Sequence, residues 1–297
     1  MPARRGRRAA GVAVAVAVSV GAFAGSGCRR KHVPVDVVPE LGIPTCGDAG
    51  DDRGQAIAGG HIRSGPTSPE SNVVERFELR RTSCGYTFRS RQEWPLAIAD
   101  VEIRYDATLA PLWAYKRLTI AGSPRPDGNA DVRRYELRTG DVFIKRRDPA
   151  GELTLEKLLP GGRASVPPGA KLEAVVAPGR GSITPWLQRA HLPEGGKTRT
   201  LVLDFRDMVE SLEEATLERS ADQIEPGFGV SGGANGASGA DGTRVRVYTF
   251  FGRETVFADE HDVVIGDLAG MRPSDALTTP EPPPLPDYGG PDPVHTP

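Results

Sequence analysis

Val73-Val74-Glu75-Arg76-Phe77-Glu78-Leu79-Arg80 sets Val73, Glu75, Phe77 and Leu79 on one side of an extended chain and Arg76, Glu78 and Arg80 on the other. Successive side chains of a strand point to opposite faces, so this stretch reads as a β-strand with one apolar and one charged face. The same period recurs along the chain. Val101, Ile103 and Tyr105 share a parity, as do Tyr135 with Leu137 and Leu153 with Leu155. Leu172, Ala174 and Val176 follow, then Leu201, Leu203 and Phe205, and finally Val245, Val247 and Phe251. Short turns such as Pro126-Asp127-Gly128, Pro149-Ala150-Gly151 and Pro160-Gly161-Gly162 separate these runs. Alternation on this scale, broken by Gly, Pro and Asp, describes antiparallel strands with one buried and one wet face.

One short helix is expected in the middle, with Thr184 as its cap, Pro185 at its first position and Trp186, Leu187 and Ala190 on an apolar side before Pro193 and Gly195 end it. Met208 to Arg219 fits neither period well and is read as a further strand. No repeat of regular period is present, so a solenoid or propeller is not supported. The fold class is therefore mainly β, with one short helix.

The N-terminus carries an address. Arg4, Arg5, Arg7 and Arg8 form a basic region, the 16 residues from Ala9 to Ala24 are weakly apolar, and Gly25-Ser26-Gly27-Cys28 follows. A permanent spanning helix needs about 20 predominantly apolar residues, so the stretch reads as a removable leader. Small residues running into Cys28 resemble a lipobox, in which lipid is attached to the Cys sulfur and the chain is cut just before it. Gly25 departs from that pattern, which prefers an aliphatic residue there. Ala22-Phe23-Ala24 is a competing site for ordinary cleavage, which would leave a soluble periplasmic protein with a free thiol. Cysteine parity bears on the choice. The chain has only Cys28, Cys46 and Cys84, and lipidation of Cys28 leaves Cys46 and Cys84 as an even pair in a compartment where disulfides persist.

Composition divides the 297 residues. Residues 1–27 are the expected signal peptide, and 28–71, rich in Pro, Gly and Asp, a lipid-anchored flexible linker with too little apolar area to offset ordering. Residues 72–268 form the β domain, and 269–297 a Pro-rich disordered tail. Removal of the leader takes four of the 37 Lys+Arg and leaves 33 against 39 Asp+Glu, a formal balance of −6. That balance argues against nucleic-acid binding, which rests on clustered positive charge. The membrane, through the anchor, and a lipid or an envelope protein are the expected partners.

This layout resembles the uncharacterised periplasmic proteins in which a single curved antiparallel sheet, a half barrel, wraps a helix or loop, a shape shared with LolA/LolB-like lipoprotein carriers. Tyr105-Asp106-Ala107-Thr108-Leu109-Ala110-Pro111-Leu112 is similar to a strand end and turn of such proteins, and Arg253 to Glu260 to a strand entering an acidic turn that returns through Val263 to Gly266. The resemblance implies an inward face that includes Val101, Ile103, Tyr105, Leu201, Leu203, Phe205, Val245 and Val247, the candidate lining of a binding cavity.

Chemical signatures are thin. Gly196-Lys197-Thr198 mimics the end of a phosphate loop, but His191 stands where a Gly is needed and a strand follows it. Asp259-Glu260-His261-Asp262 is read as a solvated hairpin turn rather than a metal site. His32, His61, His191 and His295 are scattered, and no nucleophile motif or paired C-x-x-C occurs. The Gly-rich 227–242 reads as a surface excursion, and Trp94, Trp113, Trp186 and Tyr115 as core or rim packing. The expectation is a non-enzymatic cell-envelope lipoprotein without cofactor or metal, binding a lipid, an apolar ligand or an envelope protein. A structural scaffold with a closed core, or a metal-assisted hydrolase built on His261, are the alternatives. The location is the cell envelope, on the outer membrane, facing the periplasm or the cell surface.

Overall fold

The computed structural model describes residues 32–34, 54–65, 72–120, 131–138, 141–147, 153–158, 172–207, 210–226, 228 and 242–274. Residues 1–31, with the expected leader and Cys28, together with Cys46, the Gly-rich 229–241 and everything beyond 274, lie outside the described residues.

In chain order the strands are β1 His32–Pro34, β2 Gln55–Ser64, β3 Val74–Thr82, β4 Gly85–Trp94, β5 Ala97–Tyr105, β6 Pro111–Ile120, β7 Asp131–Arg138, β8 Asp141–Arg147 and β9 Leu153–Leu158. Then come β10 Leu172–Val176, a 3-10 turn Arg180–Ile183, the helix α1 Thr184–Ala190, β11 Lys197–Asp204, β12 Ser211–Arg219 and β13 Gln223–Glu225. β14 Thr243–Phe250, β15 Glu254–Ala258, β16 Val264–Asp267 and β17 Met271–Pro273 complete the order. The mainly-β class, the curled antiparallel sheet and the one short helix are all present.

The number of sheets departs from expectation: among the described residues there are two, not one. A 10-stranded sheet runs β1-β9-β8-β7-β6-β5-β4-β3-β2-β17, and a 7-stranded sheet runs β10-β11-β12-β14-β15-β16 with β13 on β14. Period-two alternation reports which face a residue takes, not which sheet its strand joins. One pair is parallel, β10 with β11, because the connection between them carries the 3-10 turn and α1 across the sheet.

The body also begins and ends outside 72–268. β2 lies inside the expected linker, pairs with β3 from Gln55↔Arg81 to Arg63↔Val74, and buries Ile62. β17 lies inside the expected tail, pairs with β2 and buries Met271. The Pro, Gly and Asp content of 28–71 pointed to a linker, yet Gly60 is required by packing. A Cβ there would sit 2.6 Å from the Phe77 ring, so the aromatic ring supplies the apolar area that the glycine lacks.

Facing sides of the two sheets enclose the main core. Phe77, Leu79, Phe88, Val101, Ile103, Ala114 and Tyr135 come from the longer sheet, and Val175, Leu201, Leu203, Phe205 and Leu212 from or beside the shorter one. The other face of the shorter sheet takes α1, whose Trp186 and Leu187 pack with Val202, Leu217, Tyr248 and Phe250. Each such side chain, fully buried, contributes roughly 1.5–3 kcal/mol. The helix differs from expectation at its start. Thr184 is its first residue rather than its cap, and Thr184 Oγ1 instead accepts the backbone N–H of Val264 at 3.1 Å, tying α1 to β16. His191, at φ 41°, ends the helix with its N–H on Leu187 O.

Candidate functional site

The eight expected lining residues divide between two clusters. Val101, Ile103, Tyr105, Leu201, Leu203 and Phe205 meet in the core between the sheets, whereas Val245 and Val247 pack elsewhere with Phe228 and Phe257. None exposes more than 5% of its surface, so each is covered by neighbouring side chains and not by an open cavity. The Tyr105 hydroxyl is buried with no hydrogen-bond partner among the described residues, and burial pushes its pKa up.

The same inward face carries two ionisable groups that the strand pattern left unassigned. Glu75 shares the parity of Phe77 and Leu79 and is wholly buried. Its carboxylate reaches the segment before α1, where Oε2 accepts the N–H of Arg180 at 2.6 Å and Oε1 that of Gly181 at 2.8 Å. These are donors that the start of a helical turn cannot satisfy internally, and the residue in front of them, Gly179, has no side chain to offer. Gly179 has φ +95°, and a Cβ there would lie 2.5 Å from Glu75 Oε1, so both backbone and space demand glycine. Beside it Arg180 Nε donates to Asp267 Oδ2 at 2.6 Å, and Asp267 Oδ1 accepts the N–H of Met271 at 2.9 Å. Burial pushes the Glu75 pKa up to about 7, opposed by the two N–H bonds and the Arg180 charge and helped by Asp267. A carboxyl poised there could exchange a proton, but it is sealed from solvent and both oxygens are occupied. Its work is to join the longer sheet to the crossover.

Lys116 is the second such group, paired across the ladder with Val101 and only 1% exposed. Its ammonium donates to Phe205 O at 2.7 Å and Asp207 O at 2.9 Å. Nearby Tyr135 stacks on Phe205 with centroids 4.7 Å apart and donates its hydroxyl to Glu210 at 2.9 Å. Lys116 and Tyr135 thus pin the β11–β12 connection onto the longer sheet.

Asp259 to Asp262 forms a turn, as expected. Asp259 Oδ1 accepts the N–H groups of His261 and Val263, each at 2.9 Å, while Glu260 and His261 point into solvent. Asp262 turns inward instead, at φ 62°, where it takes bonds from Tyr248 Oη at 2.6 Å and Arg246 at 2.7 Å. Burial and this carboxylate push the Tyr248 pKa up. Among the described residues no group of His, Cys, Asp and Glu converges to hold a metal ion. His191 Nδ1 lies 3.6 Å from Asp262 Oδ2.

A groove of about 500 Å³ lies beside β12, bordered by Glu213 to Thr216, by the β14–β15 turn Phe251 to Arg253, and by Lys197 and Arg206. Arg206 closes one end. Its guanidinium pairs with Asp204 and Glu254 and lies over the rings of Phe250 and Phe251 at 5.8 and 5.5 Å. Nothing in the strand pattern pointed to this groove, because it arises from unequal pairing lengths and not from residue types. Cys84, in the β3–β4 turn, is disulfide-bonded, and its partner lies outside the described residues.

No family model matches the chain, and no curated protein matches it. Among solved structures it is similar to a DUF1089 family protein from Pseudomonas aeruginosa, at 13% identity and a TM-score of 0.41 over 71% of this chain and 95% of that one. It is also similar to a β-barrel-like protein of the domain of unknown function DUF1849 from Brucella abortus, at 11% identity and a TM-score of 0.38 over 68% of this chain and 78% of that one.

Proposed function

We propose that this chain is a non-enzymatic lipoprotein of the cell envelope, anchored by lipid on Cys28, whose folded body binds or scaffolds an envelope protein through its surface. The observation that carries this reading is the filled interior. All eight positions selected as a cavity lining are packed core, which leaves an apolar ligand no room among them. The buried ionisable groups support the same view. Glu75, Lys116 and Asp262 each spend their hydrogen bonds on the chain's own backbone or side chains. The anchor rests on the leader, on the small residues before Cys28 and on cysteine parity.

Native mass spectrometry of the protein extracted from its own membrane tests both parts at once. The expected species begins at Cys28, carries a diacylglyceryl mass and holds no small apolar molecule. A chain beginning at Gly25 with unmodified Cys28 would refute the anchor, and a stoichiometric co-purified lipid would refute the filled interior. Cys28→Ala is expected to move the protein into the soluble fraction.

A further inference from the structure

β12 is paired unequally on its two sides. β11 accompanies it over eight register positions, from Lys197↔Glu218 to Asp204↔Ser211, whereas β14 pairs only with Leu217, Glu218 and Arg219. The ladder stops because β14 ends at Phe250 and the chain turns through Phe251 to Arg253. Flanking bonds show which backbone groups face the open side. Arg219 donates to Gly196 O and accepts from Gly195 N, both toward β11, while Ser220 donates to Val247 O, toward β14. In an antiparallel ladder this direction alternates residue by residue, so Leu212, Glu214 and Thr216 turn their N–H and C=O groups away from β11; Leu212 is wholly buried, so the open stretch is Glu213 to Thr216. Among the described residues no strand pairs with them there. The groove lies against this same edge.

We propose that the open edge of β12 is a docking site for an extended, basic segment of a partner protein, which adds as a strand beside Glu213 to Thr216. This rests on the reading of the body as a protein-binding module. Backbone groups that face open space are a template for strand addition, and natural proteins guard such edges with charge. Here the guard is acidic and defines the guest. Lys197 is held by Glu218 at 3.1 Å, and Arg206 by Asp204 and Glu254. Glu213 is bonded only by the Ser211 hydroxyl among the described residues, at 2.7 Å, and the cation nearest Glu214 is Arg199 at 3.9 Å. The groove's border thus carries Lys197, Arg206 and Arg253 against Asp204, Glu213, Glu214 and Glu218, with Arg253 4.0 Å from Glu254, so acidic groups outnumber cations and favour a basic strand. From Glu213 to Thr216 the edge is about 13 Å long at the rise of a strand, enough to pair with about four residues of the added segment.

Fluorescence anisotropy on the full-length protein in detergent tests this with labelled eight-residue peptides of alternating Lys and Val. Three probes are compared: this peptide, its counterpart with Glu for Lys, and the Lys peptide with alternate backbone nitrogens methylated. The account expects saturable binding of the first, binding about tenfold weaker for the Glu peptide, and about tenfold weaker for the methylated one, since each lost N–H···O bond removes part of that factor. Glu214→Pro removes an outward N–H without touching the β11 ladder, and edge strands tolerate proline at such positions. That variant is expected to weaken the Lys peptide similarly. Equal binding of the methylated peptide, or no binding of any peptide, would overturn the proposal, and the methylated probe decides even where the variant folds poorly. Neither result bears on the filled interior, which is judged by co-purified lipid.

Discussion

The two sheets satisfy their backbones differently. In the longer one, β2 through β9 pair each with the next along most of their lengths, so the backbone is bonded from strand to strand. In the shorter one, β12 and β14 share three positions and then part. The difference follows from what each sheet covers. The longer sheet lies against side chains of the shorter one, whereas the shorter also curls around α1, with Trp186 edge-on to Phe250 at 6.2 Å. Side chains bridge the resulting gap, with Arg206 joining the end of β11 to β15 in place of a ladder. Continuous pairing makes a wall, and interrupted pairing leaves an edge open for other use.

If the longer sheet is the stable wall, deletions in it should cost most. Phe77→Ala removes a wholly buried ring that covers Gly60, and is expected to destabilise by about 3–5 kcal/mol in urea titration. A loss below about 1 kcal/mol would mean that this wall is loosely packed. Next comes the disulfide at Cys84. A bond to Cys46 closes a loop of about 40 residues, which in the chain-entropy account stabilises by about 3–4 kcal/mol, to be read as the loss on reduction. Mapping without reduction should yield a Cys46–Cys84 peptide. A Cys28–Cys84 peptide would contradict both that pairing and lipidation.

Glu75 probes the joint between the sheets. Its pKa, about 7 in the folded protein, lies above the ordinary value of 4.5, so between these limits the native state holds a proton that the unfolded chain has released. Stability therefore falls as pH rises from about 4.5 to about 7 and is level for this group above that, by a total on the order of 3 kcal/mol. Glu75→Gln should remove this component of the slope. An unchanged profile in the variant would show that the carboxyl titrates normally. Smallest is Val245→Trp in the shorter sheet, where overpacking the cluster with Phe228 and Phe257 should cost about 1–3 kcal/mol in thermal melting. A neutral effect would reveal spare room.

Much of this was legible in the chain. Alternation from Val73 to Arg80 identified β3, and the same rule found β5, β10, β11 and β14, because burial of one face leaves a period of two. The pattern also held the clue to Glu75, a carboxylate at a position shared with Phe77 and Leu79, though its partner lies 105 residues away at Arg180. Lys116 sits likewise at a core parity beside Ala114. What alternation does not encode is partnership between strands. It cannot divide strands into two sheets, and it cannot show that β2, poor in apolar residues, is completed by Phe77 from its neighbour. The β12 edge was hidden for the same reason.

The central claim, a filled interior, is tested most directly by titrating the folded protein with an environment-sensitive apolar dye such as N-phenyl-1-naphthylamine, beside Val245→Trp. The account expects no saturable uptake by the wild type together with a destabilised variant. Stoichiometric uptake by the wild type, abolished in a Val245→Trp protein that melts normally, would contradict it and establish an open apolar cavity.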